Sequence, residues 1–237
     1  MLMRAKQRKL IFSLLILGIL ILHGSIQNRE FIPLSSGGGG INSDLLSPFI
    51  LADPVLFNTV QDNLQSDGEQ DKKATINDFV SLVADGATGV VRGVYSENNF
   101  ALQIIQQPSG KAGFVSIIEG VVTQFTMPSK YGIIGLLAHN YLSGRHFFEL
   151  GMGDIVQVVY GDGDIKEYQI ADIQRYQALQ PDSPNSQFLD INTGKKISAT
   201  QLFKRVYTGN HHLTLQTCIQ KGSEDSWGRL FIIANPI

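Results

Sequence analysis

The sequence contains one cysteine, Cys218, in 237 residues, so it cannot form an internal disulfide bond. It has no excess of basic charge either, because 19 Lys and Arg stand against 21 Asp and Glu. No basic stripe or helix-turn-helix pattern is present, which argues against a nucleic-acid partner. The acidic segment 161–164 lacks a full ligand set at calcium-loop spacing. We therefore expect neither a metal nor a cofactor.

Long apolar runs are also scarce, and the clearest one, 10–22, follows four basic residues among the first nine. This layout is typical of a secretory signal or a signal anchor. As a helix the run covers about 20 Å, and continuing to Ile26 brings it nearer the roughly 30 Å of a bilayer core. A cleavage site is hard to find, so we expect an uncleaved single-pass anchor at 1–27. The N-terminus would be cytoplasmic and the rest extracytoplasmic; a secreted protein is the alternative.

A flexible linker and stalk are predicted for residues 28–86. The run SSGGGG at 35–40 cannot bury surface. Helical spacing of apolar residues over 74–83 predicts a short amphipathic helix within this stalk. Residues 87–237 form the remaining predicted domain.

Short apolar runs alternate with turn residues in this domain, which predicts an all-β sandwich or barrel. The runs are 100–105, 114–118, 121–125, 155–160, 168–173, 213–217 and 230–234. The segment 161–164 is predicted to be a hairpin turn. A capping box at 198–201 predicts a short helix. The wider stretch 174–210 is long for a loop, and such loops usually carry function or disorder.

Cys218 is the first candidate for chemistry. A lone cysteine is more often a small buried hydrophobe than a nucleophile. However, this thiol stands unpaired in a chain predicted to be exported, at the end of the strand 213–217 and before the Gly- and Ser-containing loop 219–228. We therefore expect it to be partly exposed there, where a basic or cationic neighbour could activate it.

Two other residues occupy comparable positions. His139 closes the apolar run 133–138, and Arg229 opens the run 230–234. Each is common as a structural residue when it stands alone. At the end of a neighbouring strand, a histidine could exchange protons and an arginine could stabilise an oxyanion.

The segment Thr-Leu-Gln-Thr-Cys at 214–218, followed by Arg229 and preceded by His139, resembles the sortases. Thr-Leu-any-Thr-Cys is their most specific motif, and the resemblance covers roughly 89–237. It implies an all-β fold, a closed sortase-like β-barrel of about eight strands with short helices, preceded by a transmembrane helix and stalk. It also implies that 174–210 is a helix-containing loop that shapes substrate choice. In many members the histidine follows glycine, whereas here it follows Ala138.

The resemblance further implies a reaction. Cys218 would be the nucleophile, His139 the general acid/base and Arg229 the oxyanion stabiliser, with Thr217, Asn140 and Trp227 as candidate substrate-binding residues. The expected partners are a peptide or protein bearing a sorting motif, of the Leu-Pro-any-Thr-Gly type, and an amine acceptor at the bacterial cell surface. Two alternatives stay open: a cysteine hydrolase of the same fold that uses water, and a non-catalytic exported β-barrel binding module.

Overall fold

The structure, a computed structural model, describes residues 75–183 and 185–237. The predicted anchor, and the linker up to residue 74, lie outside the described residues. The strands are β1 Val91–Ser96, β2 Phe100–Gln106, β3 Val121–Phe125, β4 Ile134–Leu137, β5 Ile155–Tyr160, β6 Ile165–Ala178, β7 Gln187–Asp190, β8 Lys196–Ser198, β9 Leu213–Lys221 and β10 Glu224–Pro236.

Eight of these strands close into a barrel. The sheet order is β10-β9-β4-β3-β2-β1-β5-β6, and β6 pairs again with β10. Two pairs in the ring, β2–β3 and β4–β9, are parallel, and the others are antiparallel. Strands β7 and β8 extend the sheet from β6, outside the ring. The predicted closed barrel of about eight strands is therefore confirmed.

Short helices accompany the barrel: α1 Ile76–Val83, α2 Thr126–Ser129, a 3₁₀ helix Ser143–Glu149 and α3 Ala199–Tyr207. Both α1 and α3 begin with a capping box, at Thr75 and Ser198, so both helix predictions are confirmed. Helix α1, which the sequence placed in the stalk, packs on β1, where a Cβ on Gly93 would lie 2.6 Å from the Phe79 ring. Among the described residues, no helix is both long and apolar enough to cross a membrane.

Three local predictions were wrong. The run 114–118 is not a strand, although it lies in the crossover that joins the parallel strands β2 and β3. The stretch 174–210 is not one long loop, because it comprises the end of β6, then β7, β8 and α3. The loop 219–228 does not exist either, because β9 runs on to Lys221 and β10 begins at Glu224.

Side chains of β9 alternate between two apolar environments. Leu213 and Leu215 point into the barrel, where they join the apolar core formed by side chains from strands around the whole ring. Thr214 and Gln216 point outward and are covered by α3, since their side chains bond to the Val206 carbonyl and the Tyr207 hydroxyl. We call the surface on the second side of β9 the outer face. Cys218 follows in the same alternation, so it lies on this outer face.

Candidate active site

Cys218 and Arg229 are direct partners across the antiparallel pair β9–β10. Directly opposed residues of antiparallel strands share one face of a sheet, with Cβ atoms about 4.5–5.5 Å apart. Arg229 therefore lies beside the thiol on the outer face, as the sequence suggested. Both side chains are buried, with 4% and 3% of their surfaces exposed. The expected partial exposure of Cys218 was wrong, because the strand continues for three residues past it.

His139 lies on the other side of Cys218. Strands β4 and β9 are parallel, with Leu137 opposite Gln216, and the Ala138 amide continues the ladder by donating to the Gln216 carbonyl at 3.2 Å. Continuing this register by two residues brings His139 level with Cys218. A third side chain lies beside the histidine, because the Tyr141 ring stacks on His139 at 5.2 Å. Burial raises the pKa of Tyr141, and the negative charges of Asp225 and of a Cys218 thiolate add to this rise.

Burial governs the protonation of the site. It raises the pKa of the Cys218 thiol; the neighbouring Arg229 charge lowers that pKa, while Asp225 and Glu224 raise it. Burial also lowers the pKa of His139, against a hydrogen bond to the Val115 carbonyl that raises it. Both net directions favour the neutral thiol and the neutral imidazole. The thiolate–imidazolium pair is therefore a minority form in the free protein.

The Val115 backbone affects the protonation of His139. Burial lowers the pKa of the imidazole, and the Val115 carbonyl opposes this by favouring the protonated ring. No residue pattern indicates this effect, because backbone carbonyls leave no trace in the sequence.

An irregular pairing in β10 shapes the Arg229 side of the site. From Ile219 to Lys221, β9 advances two residues, while β10 covers Glu224 to Gly228. The bulge places the Ser226 and Gly228 carbonyls 2.8 Å from Nη1 of Arg229, which donates to both. Bulges of this kind re-aim side chains next to active sites.

The three candidate substrate-binding residues differ in placement. Asn140 is half-buried and donates to the Asp225 carbonyl at 3.1 Å, which ties the histidine loop to the bulge. Trp227 is half-buried under the Lys221 ammonium, 4.6 Å from its ring centroid. Thr217 points into the barrel, is fully buried and donates to the Ala138 carbonyl at 2.9 Å. This placement gives Thr217 a supporting position, and a substrate contact for any of the three stays a prediction.

Close packing supports the histidine loop from behind. The amides of Leu142 and Gly144 both donate to the His139 carbonyl at 3.0 Å. A Cβ on Gly144 would lie 2.7 Å from that carbonyl and would also collide with the Thr217 hydroxyl. Only glycine lets the start of the 3₁₀ helix approach this closely. The position of His139 therefore depends on residues outside the resembling motif.

No family model matches the sequence, and no match was found among curated proteins. Solved structures do match. Sortase A of Listeria monocytogenes is 12% identical over 62% of this chain and 87% of its own, with a TM-score of 0.40. Sortase D5 of Clostridium perfringens is 14% identical over 77% and 99%, at 0.41, and sortase C1 of Streptococcus suis is 13% identical over 77% and 94%, at 0.43.

These structures come from the same family that the 214–218 motif resembles. Their identities and TM-scores are low, so the assignment of a reaction to this chain has to rest on its own site. That site consists of a buried thiol paired across β9–β10 with an arginine, and a histidine two residues beyond the last paired residue of β4 on the other side.

Proposed function

We propose that this protein is a sortase-type cysteine transpeptidase, which cleaves a sorting-motif peptide through a thioester and transfers it to an amine. The observation that supports the proposal is the register around β9, in which Cys218 pairs with Arg229 and the parallel pairing with β4, continued by two residues, leads to His139. A nucleophile, a base and a cation at one place are the parts that acyl transfer requires.

The first half-reaction consumes the substrate peptide bond. As the basic nitrogen of His139 takes the thiol proton, the sulfur of Cys218 attacks the scissile carbonyl carbon. The Arg229 guanidinium, held by the bulge carbonyls, faces the negative charge that develops on the carbonyl oxygen. The C–N bond then breaks, His139 returns the proton to the leaving amine, and a thioester on Cys218 remains.

The second half-reaction restores the enzyme. An acceptor amine attacks the thioester carbon, and His139 removes a proton from that amine. The C–S bond breaks, and the sulfur leaves as a thiolate that is reprotonated by His139. The new amide bond joins the sorted peptide to its acceptor, and we propose that this occurs outside the cytoplasm on a chain tethered by its N-terminal segment.

The test uses the full-length protein, with a labelled peptide library and a panel of candidate amines, and mass measurement of the Cys218 adduct. We expect a thioester adduct and, with a suitable amine, a joined product. Cys218→Ala and His139→Ala should abolish both. His211→Ala is the matched control, because His211 is exposed, precedes β9 at the opposite end from Cys218 and bonds to Tyr168 and the Gly132 carbonyl.

Other outcomes identify the alternatives. An adduct that always resolves to the free acid, whatever amine is added, indicates a hydrolase of the same fold. Full turnover by Cys218→Ala ends the proposal. Absence of any adduct, with Cys218 no more reactive than an ordinary buried thiol, indicates a binding module.

A further inference from the structure

Gln216 is a polar side chain set among apolar ones on the outer face. It lies two residues before Cys218, on the same side of β9, and only 6% of it is exposed. Its partners in the neighbouring strands are Leu137 and Phe231, and both are buried. Burying an amide costs free energy unless its polar atoms are satisfied. The side chain therefore needs an explanation.

Tyr207 satisfies one half of this amide. Its hydroxyl donates to Oε1 of Gln216 at 2.5 Å. Complete burial raises the pKa of Tyr207 well above its usual value, so the hydroxyl keeps its proton. Edge contacts with Phe125 and Phe231, at 5.5 and 6.2 Å between ring centroids, hold the tyrosine ring in place. The orientation of the Gln216 amide is thereby set, with its oxygen turned toward α3.

The amino group of the Gln216 amide is available to donate to a ligand. Among the described residues, Nε2 of Gln216 has no hydrogen-bond partner, and it is not one of the fully buried unpaired atoms. It therefore reaches solvent at the surface of the outer face. The glutamine presents a pre-oriented N–H donor about 7 Å along the strand from Cys218, at a rise of about 3.4 Å per residue.

We propose that Gln216 is a specificity-determining residue, whose amide N–H group binds a hydrogen-bond acceptor side chain two residues from the scissile carbonyl. This inference rests on the proposed function. An extended peptide on the outer face has the same repeat as β9, so its residue two positions from the attacked carbonyl comes level with Gln216, beside the part of that side chain that α3 leaves uncovered. On the N-terminal side of the scissile bond this is the proline position of a Leu-Pro-any-Thr-Gly motif. Side chains two apart in an extended chain point the same way.

The chemistry of the preferred substrate follows from the donor. Asn, Gln, Ser, Thr or Asp at that position would accept from the amide and complete its hydrogen bonding. A leucine there would cover the N–H group without pairing it. Sites built to hydrogen-bond a substrate discriminate strongly against analogues that lack the partner. We expect a preference of about tenfold to a hundredfold for the acceptor side chain.

The experiment measures kcat/KM for acyl-enzyme formation by the full-length protein at a saturating amine concentration. Matched peptides carry Asn, Asp or Leu two residues to either side of the scissile bond. The wild type should prefer Asn and Asp over Leu on one side. Gln216→Met, which keeps the length and removes the donor, should abolish or reverse that preference. Gln169→Met, on exposed β6 surface, should leave it intact.

Two further variants keep the test decisive. Gln216→Glu retains an acceptor for Tyr207 and replaces the N–H donor by an acceptor, so it should favour Lys over Asp at the same position. Tyr207→Phe frees the amide to rotate and should weaken the preference without reversing it. Thermal unfolding and alkylation of Cys218 report whether each variant is folded with an intact site.

The outcomes distinguish failure of the inference about Gln216 from failure of the transpeptidase proposal. If the wild type forms adducts and Gln216→Met or Gln216→Glu, shown to be folded, keeps the wild-type preference, the inference about Gln216 is overturned and the transpeptidase proposal stands. If no peptide yields an adduct on wild-type Cys218, both fail together. A wild type that prefers Leu on both sides also overturns the inference.

Discussion

The two faces of β9 differ more than neighbouring positions of one strand usually do. Inward, Leu213 and Leu215 belong to a continuous apolar core. Outward, Gln216 and Cys218 are polar or reactive and yet almost as buried. The inner face holds the ring together, whereas the outer face carries the groups that the proposed chemistry needs. Reactive groups can thus be buried without belonging to the core.

The largest expected effect of a substitution on the outer face is on the rate of acyl-enzyme formation, and it should follow removal of Arg229. Arg229→Ala removes the cation beside Cys218 and should slow acyl-enzyme formation by about a hundredfold to a thousandfold. Arg229→Lys keeps the charge without the planar fork and should recover part of the rate. Stopped-flow or quenched mass measurement of the adduct gives these rates. An unchanged rate in folded Arg229→Ala would remove arginine from the mechanism.

A substitution on the inner face should lower the free energy of unfolding. Leu215 is 1% exposed within the barrel core, so Leu215→Ala should lower the free energy of unfolding by about 2–5 kcal/mol. Gln220→Ala, at an exposed position of the same strand, should change it by less than about 0.5 kcal/mol. Urea unfolding measures both. Equal effects of the two changes would contradict the assignment of the faces.

A second buried histidine sharpens the comparison. His146 lies in the 3₁₀ helix, its ring 6.5 Å from that of Phe100 in the inner core. Neither of its nitrogens has a hydrogen-bond partner, and Glu149 Oε2 is 3.8 Å away. Burial lowers the pKa of His146, and Arg145 lowers it further, while Glu149 and Glu119 oppose this. His139, by contrast, has the Val115 carbonyl.

The pH dependence follows with a definite sign. Since the folded pKa of His146 lies below the unfolded value of about 6.5, the unfolded chain binds the proton more readily. The stability that the neutral His146 contributes is therefore fully present above about pH 6.5 and is lost as the pH falls below that value. His146→Phe should raise the free energy of unfolding by about 1 kcal/mol and reduce this slope. Denaturant unfolding across the pH range tests it, and an unchanged slope would show that other groups control the dependence.

The smallest effect concerns the charge around Cys218. Asp225 raises the pKa of that thiol, so Asp225→Asn should speed iodoacetamide alkylation near neutral pH by about two- to tenfold. The backbone carbonyl that binds Asn140 remains in this variant. Asp162→Asn, in the exposed β5–β6 turn, is the control. Slower alkylation of Asp225→Asn than of wild type would contradict the proposed electrostatics.

Much of the fold could be predicted because its signals are local. The β-branched runs at Val121–Phe125 and Ile155–Tyr160 match β3 and β5 residue for residue. The Ser198 capping box marks the start of α3. Segments whose structure depends on distant partners were less accessible. The run 114–118 has strand-like residues but serves as a crossover, and the extension of β9 past Cys218 depends on pairing with β10.

The site divides in the same way. The sequence singles out Cys218, Arg229 and His139, but it places Cys218 and Arg229 at strand ends although both lie inside strands; the contacts around them are not visible in the sequence. The Val115 carbonyl, the Tyr141 stack and the β10 bulge arise from tertiary packing between segments far apart in the chain. The burial of Cys218 is not evident from the sequence, because β9 continues past the cysteine and the side chains that cover it come from other segments.

Closure of the ring has a consequence for how a peptide can be held. Because β6 pairs with β10 as well as with β5, β9 has hydrogen-bonded neighbours on both sides as far as Gln216. Along that stretch an extended ligand cannot join the sheet as an added strand, the mode in which main-chain groups supply affinity. Among the described strands, the free edge of the sheet is β8, three residues long and preceded by Lys195. Recognition on this barrel therefore falls to side chains and loops, so substrate choice can change by point substitution while the barrel stays the same.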